Sequence, residues 1–299
     1  MKVKKLSVYN QLPKEGVENQ YPTSKDTFKQ PALHMIIGQR TSGKSFLASR
    51  TLAQAKADKT FNIIYMITPS FNSNKAYFGE YVDEENVFEP TKDSIQKVIA
   101  RVEQDKDDWE RFLSEKKEYE KYKRDMATKQ FISDNELLNW YEHGWMDGRR
   151  PTWKYEKEEP PKSLLILDDV LSSEAISKSS GLIKVATLNR HICPLKEVHS
   201  GRSACGLAVM ILSQTYRMQG GIGRALRENV SLLTLFENRQ EKQLNAIKEE
   251  LANVVPMEKF EKAYSYATGE KYGNLTVDFN PKDQDKQFIK NLNEAIIID

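Results

Sequence analysis

The sequence predicts an α/β fold: a mostly parallel central sheet flanked by helices, interrupted by a charged helical insertion. Three observations carry this expectation. Short apolar runs at Leu33 to Ile37, Phe61 to Thr68, Ser163 to Leu167 and Leu207 to Leu212 read as strands buried on both faces. Segments of helical periodicity separate them, the alternation that builds βαβ units with right-handed crossovers. The first run also stops at a glycine-punctuated turn that opens a helix, GQRTSGKS over Gly38 to Ser45.

That turn is Gly, four residues, Gly-Lys-Ser, the spacing of a Walker A phosphate loop. A loop that wraps a polyphosphate must point several backbone N–H groups inward, which glycines permit, and the helix that follows adds positive partial charge. Gly38, Gln39, Arg40, Thr41, Ser42, Gly43, Lys44, Ser45 and Phe46 are therefore the expected nucleotide-binding residues. Lys44 is assigned to the β- and γ-phosphates of ATP and the Ser45 hydroxyl to a Mg²⁺ ion. These features define a P-loop NTPase fold as the expected architecture.

The 299 residues suffice for one large α/β domain. Residues 1–30 are polar, carry Pro13 and Pro22, and read as an arm, flexible or packed on a neighbour. Residues 31–299 read as the ATPase domain. No apolar run is long enough to span a membrane, and the basic N-terminus lacks the apolar core of a signal peptide, so the expected setting is neither secreted nor membrane-embedded. Two cysteines imply no disulfide framework. A formal net charge of +2 argues for no extended nucleic-acid surface, so any such surface must be local.

After the second strand, Asn72, Ser73 and Asn74 read as a turn. From Thr91 to Glu158 the character changes. Ile95, Val98, Ile99, Val102, Trp109 and Phe112 recur at helical spacing, while acids and bases alternate in equal numbers from Arg101 to Lys129. One or two long amphipathic helices follow, whose charged face is solvated rather than a DNA lever. Asn139 to Lys157 holds three of the four tryptophans beside Arg149 and Arg150. A small satellite core is the preferred reading over a stacking platform for nucleic acid. Pro160 and Pro161 close the insertion, which spans about residues 91–160.

Ser163 to Leu167 ends in Asp168 and Asp169, a Walker B pattern. Carboxylates at the C-terminal end of a parallel strand lie on the edge where open α/β sheets bind ligands. Asp168 is assigned to the metal and Asp169 to the attacking water. His191, Cys193, His199 and Cys205 match no standard zinc spacing, so a basic loop carrying Lys196 and Arg202 is the more economical reading. Leu207 to Leu212 delivers Ser213 to Arg217 to the Walker edge, where Gln214 is the candidate sensor of the γ-phosphate. Gly220, Gly221 and Gly223 read as a flexible turn, and Ser231 to Phe236 as a further strand. An amphipathic helix is expected within Glu237 to Phe260, then a turn at Gly269, a last strand at Leu275 to Phe279 and a polar tail from Asn280.

The order GQRTSGKS, LLILDDV, NRH, LAVMILSQTYR, LREN resembles the genome-packaging ATPases of large nucleocytoplasmic DNA viruses and virophages, in the FtsK-HerA superfamily of P-loop motors. The resemblance covers Leu33 to Phe236. It implies an ATP hydrolase that forms a ring homo-oligomer and translocates double-stranded DNA into a viral capsid. Capsid or portal-vertex proteins would be partners, at assembly sites in the host-cell cytoplasm or on the virion. It implies that Gln214 is the polar sensor and that Arg190 or Arg227 completes a neighbouring subunit's site. Many members of the superfamily carry glutamate where Asp169 stands; Asp169 is kept as the catalytic carboxylate, with Glu174 as a substitute. Two other readings compete: a P-loop small-molecule kinase, and a nucleotide-dependent switch or docking protein with little turnover.

Overall fold

The computed structural model describes residues 19–298 apart from 130, 172, 217–222 and 239, with the side chains of 223–225 also left out. The first half of the chain runs β1 (Leu33–Ile37), α1 (Lys44–Ala57), β2 (Ile63–Ile67), α2 (Phe71–Phe78), β3 (Val87–Phe88), α3 (Ser94–Thr128), α4 (Asp134–Glu142) and β4 (Ser163–Asp168). Next come α5 (Glu174–Ser177), α6 (Ser180–Leu188), β5 (Pro194–His199), β6 (Arg202–Ala204), β7 (Ala208–Ser213), α7 (Gly223–Glu228) and β8 (Leu232–Phe236). The last part holds α8 (Glu241–Leu251), α9 (Met257–Thr268), β9 (Asn274–Asp278), β10 (Phe288–Lys290) and β11 (Glu294–Ala295).

Nine of these strands form one sheet in the order β11-β10-β9-β8-β1-β7-β4-β2-β3. From β8 to β3 every neighbouring pair is parallel, and β9, β10 and β11 are added antiparallel at one side. The strands β1, β7, β4 and β2 end together, so Gly38, Asp168 and the residues after Ser213 share one edge. Strand β7 lies between the phosphate-loop strand and the strand bearing the acidic pair.

Both faces are covered, as the unbroken apolar runs require. Leu33, Met35 and Ile37 of β1 join Leu165, Leu167, Val209, Ile211, Leu233 and Leu235 under α3, α6, α8 and α9. On the other face Ile36, Leu164, Ile166, Met210 and Leu212 pack against Leu47, Ala48 and Leu52 of α1 and Phe78 of α2. Residues 19–30 lie on the domain itself. Tyr21 is buried in the second core, and Asn19 accepts the Ser203 N–H at 2.6 Å through Oδ1.

Several local expectations are corrected. Asn72 to Asn74 is not a turn but part of α2. Poor helix formers are outweighed there by the burial of Phe78 and by a hydrogen bond from the Asn74 amide to Asp168. The Glu237 to Phe260 stretch holds two helices, because Pro256 has no N–H to continue the first and stands as the N-cap of α9. The basic loop is a two-stranded hairpin, β5-β6. Its Arg202 is fully buried, donating to the carbonyls of Pro160, at 2.8 Å, Pro161, at 2.7 Å, and Cys205. The polar tail hides two short strands beyond β9, too short to show alternation. Gly223 begins α7 rather than continuing a turn. Gly220, Gly221, Arg217 and residues 1–18 lie outside the described residues.

The insertion is built on α3, which at 35 residues runs roughly 50 Å. Its first half docks on the sheet through Ile95, Val98 and Val102. Farther on, Trp109 packs edge-on to Trp153 at 5.0 Å, and Tyr122 packs likewise on Trp140 at 5.0 Å. Trp140 and Trp145 are buried while Arg149 and Arg150 are exposed. The aromatics thus form a satellite core under a loop rather than an open platform. Many charges on α3 are paired locally, Lys154 with Asp105 and Asp108 at 2.6 and 2.8 Å among them.

A polar rung crosses the apolar sheet: His34 Nε2 meets Thr234 Oγ1 at 2.8 Å, and Thr234 meets Thr276 Oγ1 at 2.7 Å. Burial pushes the His34 imidazole down to about 3, so the fold holds it neutral. The unfolded chain binds a proton near 6.5 that the fold refuses. Stability from this residue is therefore complete above about pH 6.5 and lost as pH falls toward 3, at roughly 1.4 kcal/mol per pH unit. Urea unfolding at pH 7 and pH 4.5 is expected to show this slope in the wild type and a shallower one in His34→Gln; equal slopes would contradict it.

Candidate active site

The phosphate loop is fixed at both ends. The Gly38 N–H donates to Ser213 O at 3.1 Å, tying the end of β1 to the end of β7, and Ser42 N–H turns back to Gln39 O at 3.2 Å. Gly43 sits at φ +105°. A Cβ on Gly38 would lie 2.3 Å from Ser42 Oγ and 2.9 Å from Phe236 Cδ2, so only glycine fits this close approach. Among the described residues no side chain caps α1, and its first turn carries no acid. Its leading N–H groups are thus left for an anion, and the positive end of the helix is uncompensated. The Ser42 hydroxyl is buried without a partner among the described residues, an orphaned donor within the loop.

Lys44 is nearly buried and folds over the loop, its Nζ donating to Gly38 O at 2.8 Å and Gln39 O at 3.2 Å. Burial lowers its pKa, opposed by the nearby charges of Asp169 and Asp168. The lysine and the acidic pair therefore share one electrostatic environment, although they come from strands separated by β7. Thr41, Ser42, Gly43, Lys44, Ser45 and Phe46 line a cavity of about 660 Å³. Gln39 and Arg40 line an adjoining one with Glu237 and Tyr272.

Asp168 ends β4 in a buried position. Its Oδ2 accepts from Thr68 Oγ1 and from Asn74 Nδ2, both at 3.0 Å. Burial raises its pKa, with the two hydrogen bonds pulling the other way. A buried carboxylate held short of full ionic compensation suits a divalent cation, and a hydroxyl such as that of Ser45 in the first turn of α1 is a fitting oxygen donor, so the donor chemistry fits Mg²⁺. Asp169 follows at φ +50°, a strained position for a residue with a side chain, and its Oδ2 accepts from Gln214 Nε2 at 3.3 Å. The predicted water-orienting acid and the predicted sensor amide are thus in contact.

Because both donors to Asp168 fall on Oδ2, the single carbonyl oxygen of Asn can retain them. The raised pKa means that ionised Asp168 opposes folding as pH rises above 3.8 through the folded value. Asp168→Asn is therefore expected to raise the melting temperature of the nucleotide-free chain at pH 7.5 by about 2 °C. It should also abolish any stabilisation by Mg²⁺ with nucleotide. A lowered melting temperature would contradict this, as would retained stabilisation.

The arginines are placed elsewhere. Arg190 lies in a short turn whose neighbour Asn189 accepts the Leu207 N–H at 2.7 Å, just before β7 begins. Arg227 precedes β8 and donates through Nε to Glu250 at 2.7 Å, its guanidinium 5.5 Å from the Tyr216 ring centroid. Arg190 thus stands at the start of β7, the end of that strand opposite the one that meets Gly38. Glu174 opens α5, and its carboxylate bonds Lys178 at 3.0 Å.

Cys193 and Cys205 are buried free thiols, and burial pushes both up, Cys205 to about 12. His191 bonds Asn19 and His199 packs on Trp109. Among the described residues no group of three or more His, Cys, Asp or Glu is placed to hold a metal ion. None of the described helices is long and apolar enough to cross a membrane.

Sequence reasoning missed Thr68 and Asn74, the hydrogen-bond partners of Asp168. Thr68 was within reach, since it ends the parallel strand beside β4; Asn74 was concealed by its turn-like neighbours. It also missed Phe236, Lys271, Tyr272 and Asn274, which line the cavity together with Arg50, Tyr77 and Asn291.

No family model and no curated protein matches the chain. Among solved structures, the genome packaging NTPase B204 from Sulfolobus turreted icosahedral virus 2, in complex with AMPPCP, is similar at 14% identity over 87% of this chain and 96% of that one, with a TM-score of 0.43. B204 from Sulfolobus turreted icosahedral virus, described as a DNA-packaging ATPase, is similar at 12% identity over 87% and 96%, with a TM-score of 0.42. The cytoplasmic domain of the Thermomonospora curvata type VII secretion ATPase EccC is similar at 14% identity over 87% of this chain and 25% of that one, with a TM-score of 0.39. By its sheet order, its glycine loop and its strand-end acidic pair the chain has the α/β fold of a P-loop NTPase, with a viral packaging NTPase and a secretion ATPase among its structural neighbours.

Proposed function

We propose that the chain is a Mg²⁺-dependent ATPase that works as a ring oligomer to translocate double-stranded DNA into a viral capsid. The observation that carries this reading is the meeting of Lys44, Asp168, Asp169 and Gln214 at one sheet edge, from three adjacent parallel strands. Lys44 and the uncapped N–H groups of α1 hold the phosphates of ATP, while Ser45 and Asp168 hold the cation. When bound, Mg²⁺ offsets charge on the β- and γ-phosphate oxygens. Asp169 orients and deprotonates the attacking water, and Gln214, bonded to it, registers whether the γ-phosphate is present.

The placement of Arg190 beside the start of β7, at the far end of that strand from the phosphate loop, favours its use in trans. An arginine that cannot reach its own phosphate loop is available to a neighbour in a ring, where it offsets charge growing on the transferred phosphoryl group. Arg190 is the better candidate, since Arg227 must first leave Glu250. Residues 1–30 act as an arm and residues 31–299 as the motor domain, which carries the insertion at about residues 91–160, and capsid or portal-vertex proteins are its partners. The working location is the host-cell cytoplasm at viral assembly sites.

The test is assembly and turnover measured together. Size-exclusion chromatography with light scattering, using ATPγS and linear duplex DNA, should show a ring, and duplex DNA should stimulate phosphate release from ATP. Mixing Arg190→Ala with Lys44→Ala should restore part of the activity that each lacks alone. A monomer under all conditions, with turnover indifferent to DNA, would overturn the motor reading.

A further inference from the structure

The cavity at the phosphate loop extends past what a triphosphate needs, and its volume of about 660 Å³ falls within the usual range for a small-molecule site. Its outer wall includes Lys271, Tyr272 and Asn274, from the loop between α9 and β9 and the start of β9. Tyr272 has φ +67°, a left-handed conformation unusual for a bulky residue. Gly273 beside it would take such an angle without cost, yet does not carry it. Glycine is needed there for close approach instead, since a Cβ would lie 2.3 Å from Ala267 O. The loop thus places an aromatic ring, not a glycine, at the strained position.

That ring lies against the phosphate loop, its Cδ1 3.6 Å from where a Gly43 Cβ would stand. It is 57% exposed, and Lys271 Nζ lies 4.9 Å from its centroid. An independent observation comes from Asn274, which is 3% exposed. Its Nδ2 donates to Tyr272 O at 3.3 Å and Asn291 Oδ1 at 3.0 Å, which fixes the amide's orientation and braces the loop. Its Oδ1 is a buried acceptor with no partner among the described residues. Such an atom is costly to leave unsatisfied, and a ligand N–H or O–H would satisfy it.

The geometry points to this wall as the nucleoside half of the site: Tyr272 stacks on the nucleobase, and Asn274 Oδ1 accepts from an N–H or O–H of the nucleoside. The assignment rests on the nucleotide reading above and adds to it residues outside every motif. A base offers a π-face whatever its identity, so the ring supplies affinity. The Asn274 acceptor adds selectivity for a donor, either the exocyclic amine of the base or a ribose hydroxyl.

Equilibrium binding of ATPγS and of inorganic tripolyphosphate, each with Mg²⁺, to the full chain tests this. Tyr272→Ala should bind ATPγS about tenfold more weakly with tripolyphosphate binding unchanged, and Tyr272→Phe, which keeps the ring, should bind ATPγS as the wild type does. Purine riboside triphosphate, lacking the amine, and 2′,3′-dideoxy-ATP, lacking the hydroxyls, identify the donor: one of them should bind the wild type about tenfold more weakly than ATP. Unchanged ATPγS affinity in Tyr272→Ala would overturn the stacking role. Wild-type affinity for both analogues equal to that for ATP would overturn the Asn274 role. A wild type that binds neither ATPγS nor tripolyphosphate would defeat the nucleotide reading itself, and the subsite with it.

Discussion

Lys44→Ala is expected to lower ATP turnover about a thousandfold while leaving the chain folded. The lysine is the buried cation of the phosphate loop, and it already spans two loop carbonyls at 2.8 and 3.2 Å, so it is positioned before any nucleotide arrives. A fixed charge that needs no reorganisation is worth most where charge shifts during the reaction, and losing one such donor costs about 10² to 10³ in rate. Its burial opposes the charged form, so the fold gains little from it, and the melting temperature of the nucleotide-free variant should not fall. Steady-state phosphate release together with thermal unfolding checks both halves. Turnover within tenfold of the wild type would contradict the assignment.

Arg202→Ala is expected to be the most destabilising single change outside the core, by about 3 to 5 kcal/mol. The guanidinium is fully buried and gathers the carbonyls of Pro160, Pro161 and Cys205, and its carbon lies 4.6 Å from the Tyr21 ring centroid. It thereby joins the exit of the insertion, the β5-β6 hairpin and residues 19–30. Its removal strands three acceptors in a region without water access. Lysine cannot reach them in one plane, so Arg202→Lys should recover less than half of the loss. Urea unfolding at pH 7 measures this, and a loss under about 1 kcal/mol would contradict it.

Arg202 also marks the limit of reading the chain. As a basic residue among glycine, serine and histidine it looks like a surface loop, because only the tertiary fold brings three carbonyls to it. The same limit hid Asn74, whose neighbours favour a turn until Asp168 gives its amide a partner. By contrast, the strands β1, β2, β4, β7 and β8 and their shared edge were legible, because strands buried on both faces write themselves as unbroken apolar runs; the two-residue β3 was not. The strand-end placement of Gly38 and Asp168 was legible because a glycine turn closes one apolar run and an acidic pair closes another. The C-terminal side of the cavity was not, since Tyr272 and Asn274 are defined by backbone conformation and an unpaired atom rather than by a pattern.

In the proposed mechanism the chemistry falls to Asp169, the acid beside the proposed cation ligand Asp168. Asp169 meets Gln214 at 3.3 Å, and its charge acts on Lys44. Phosphate release from ATP by wild type and Asp169→Asn, in the presence of Mg²⁺ and duplex DNA and alongside ATPγS binding, is the direct measurement. Asp169→Asn is expected to bind ATPγS as the wild type does and to lose turnover by about 10² or more. Equal turnover in the two proteins would contradict it.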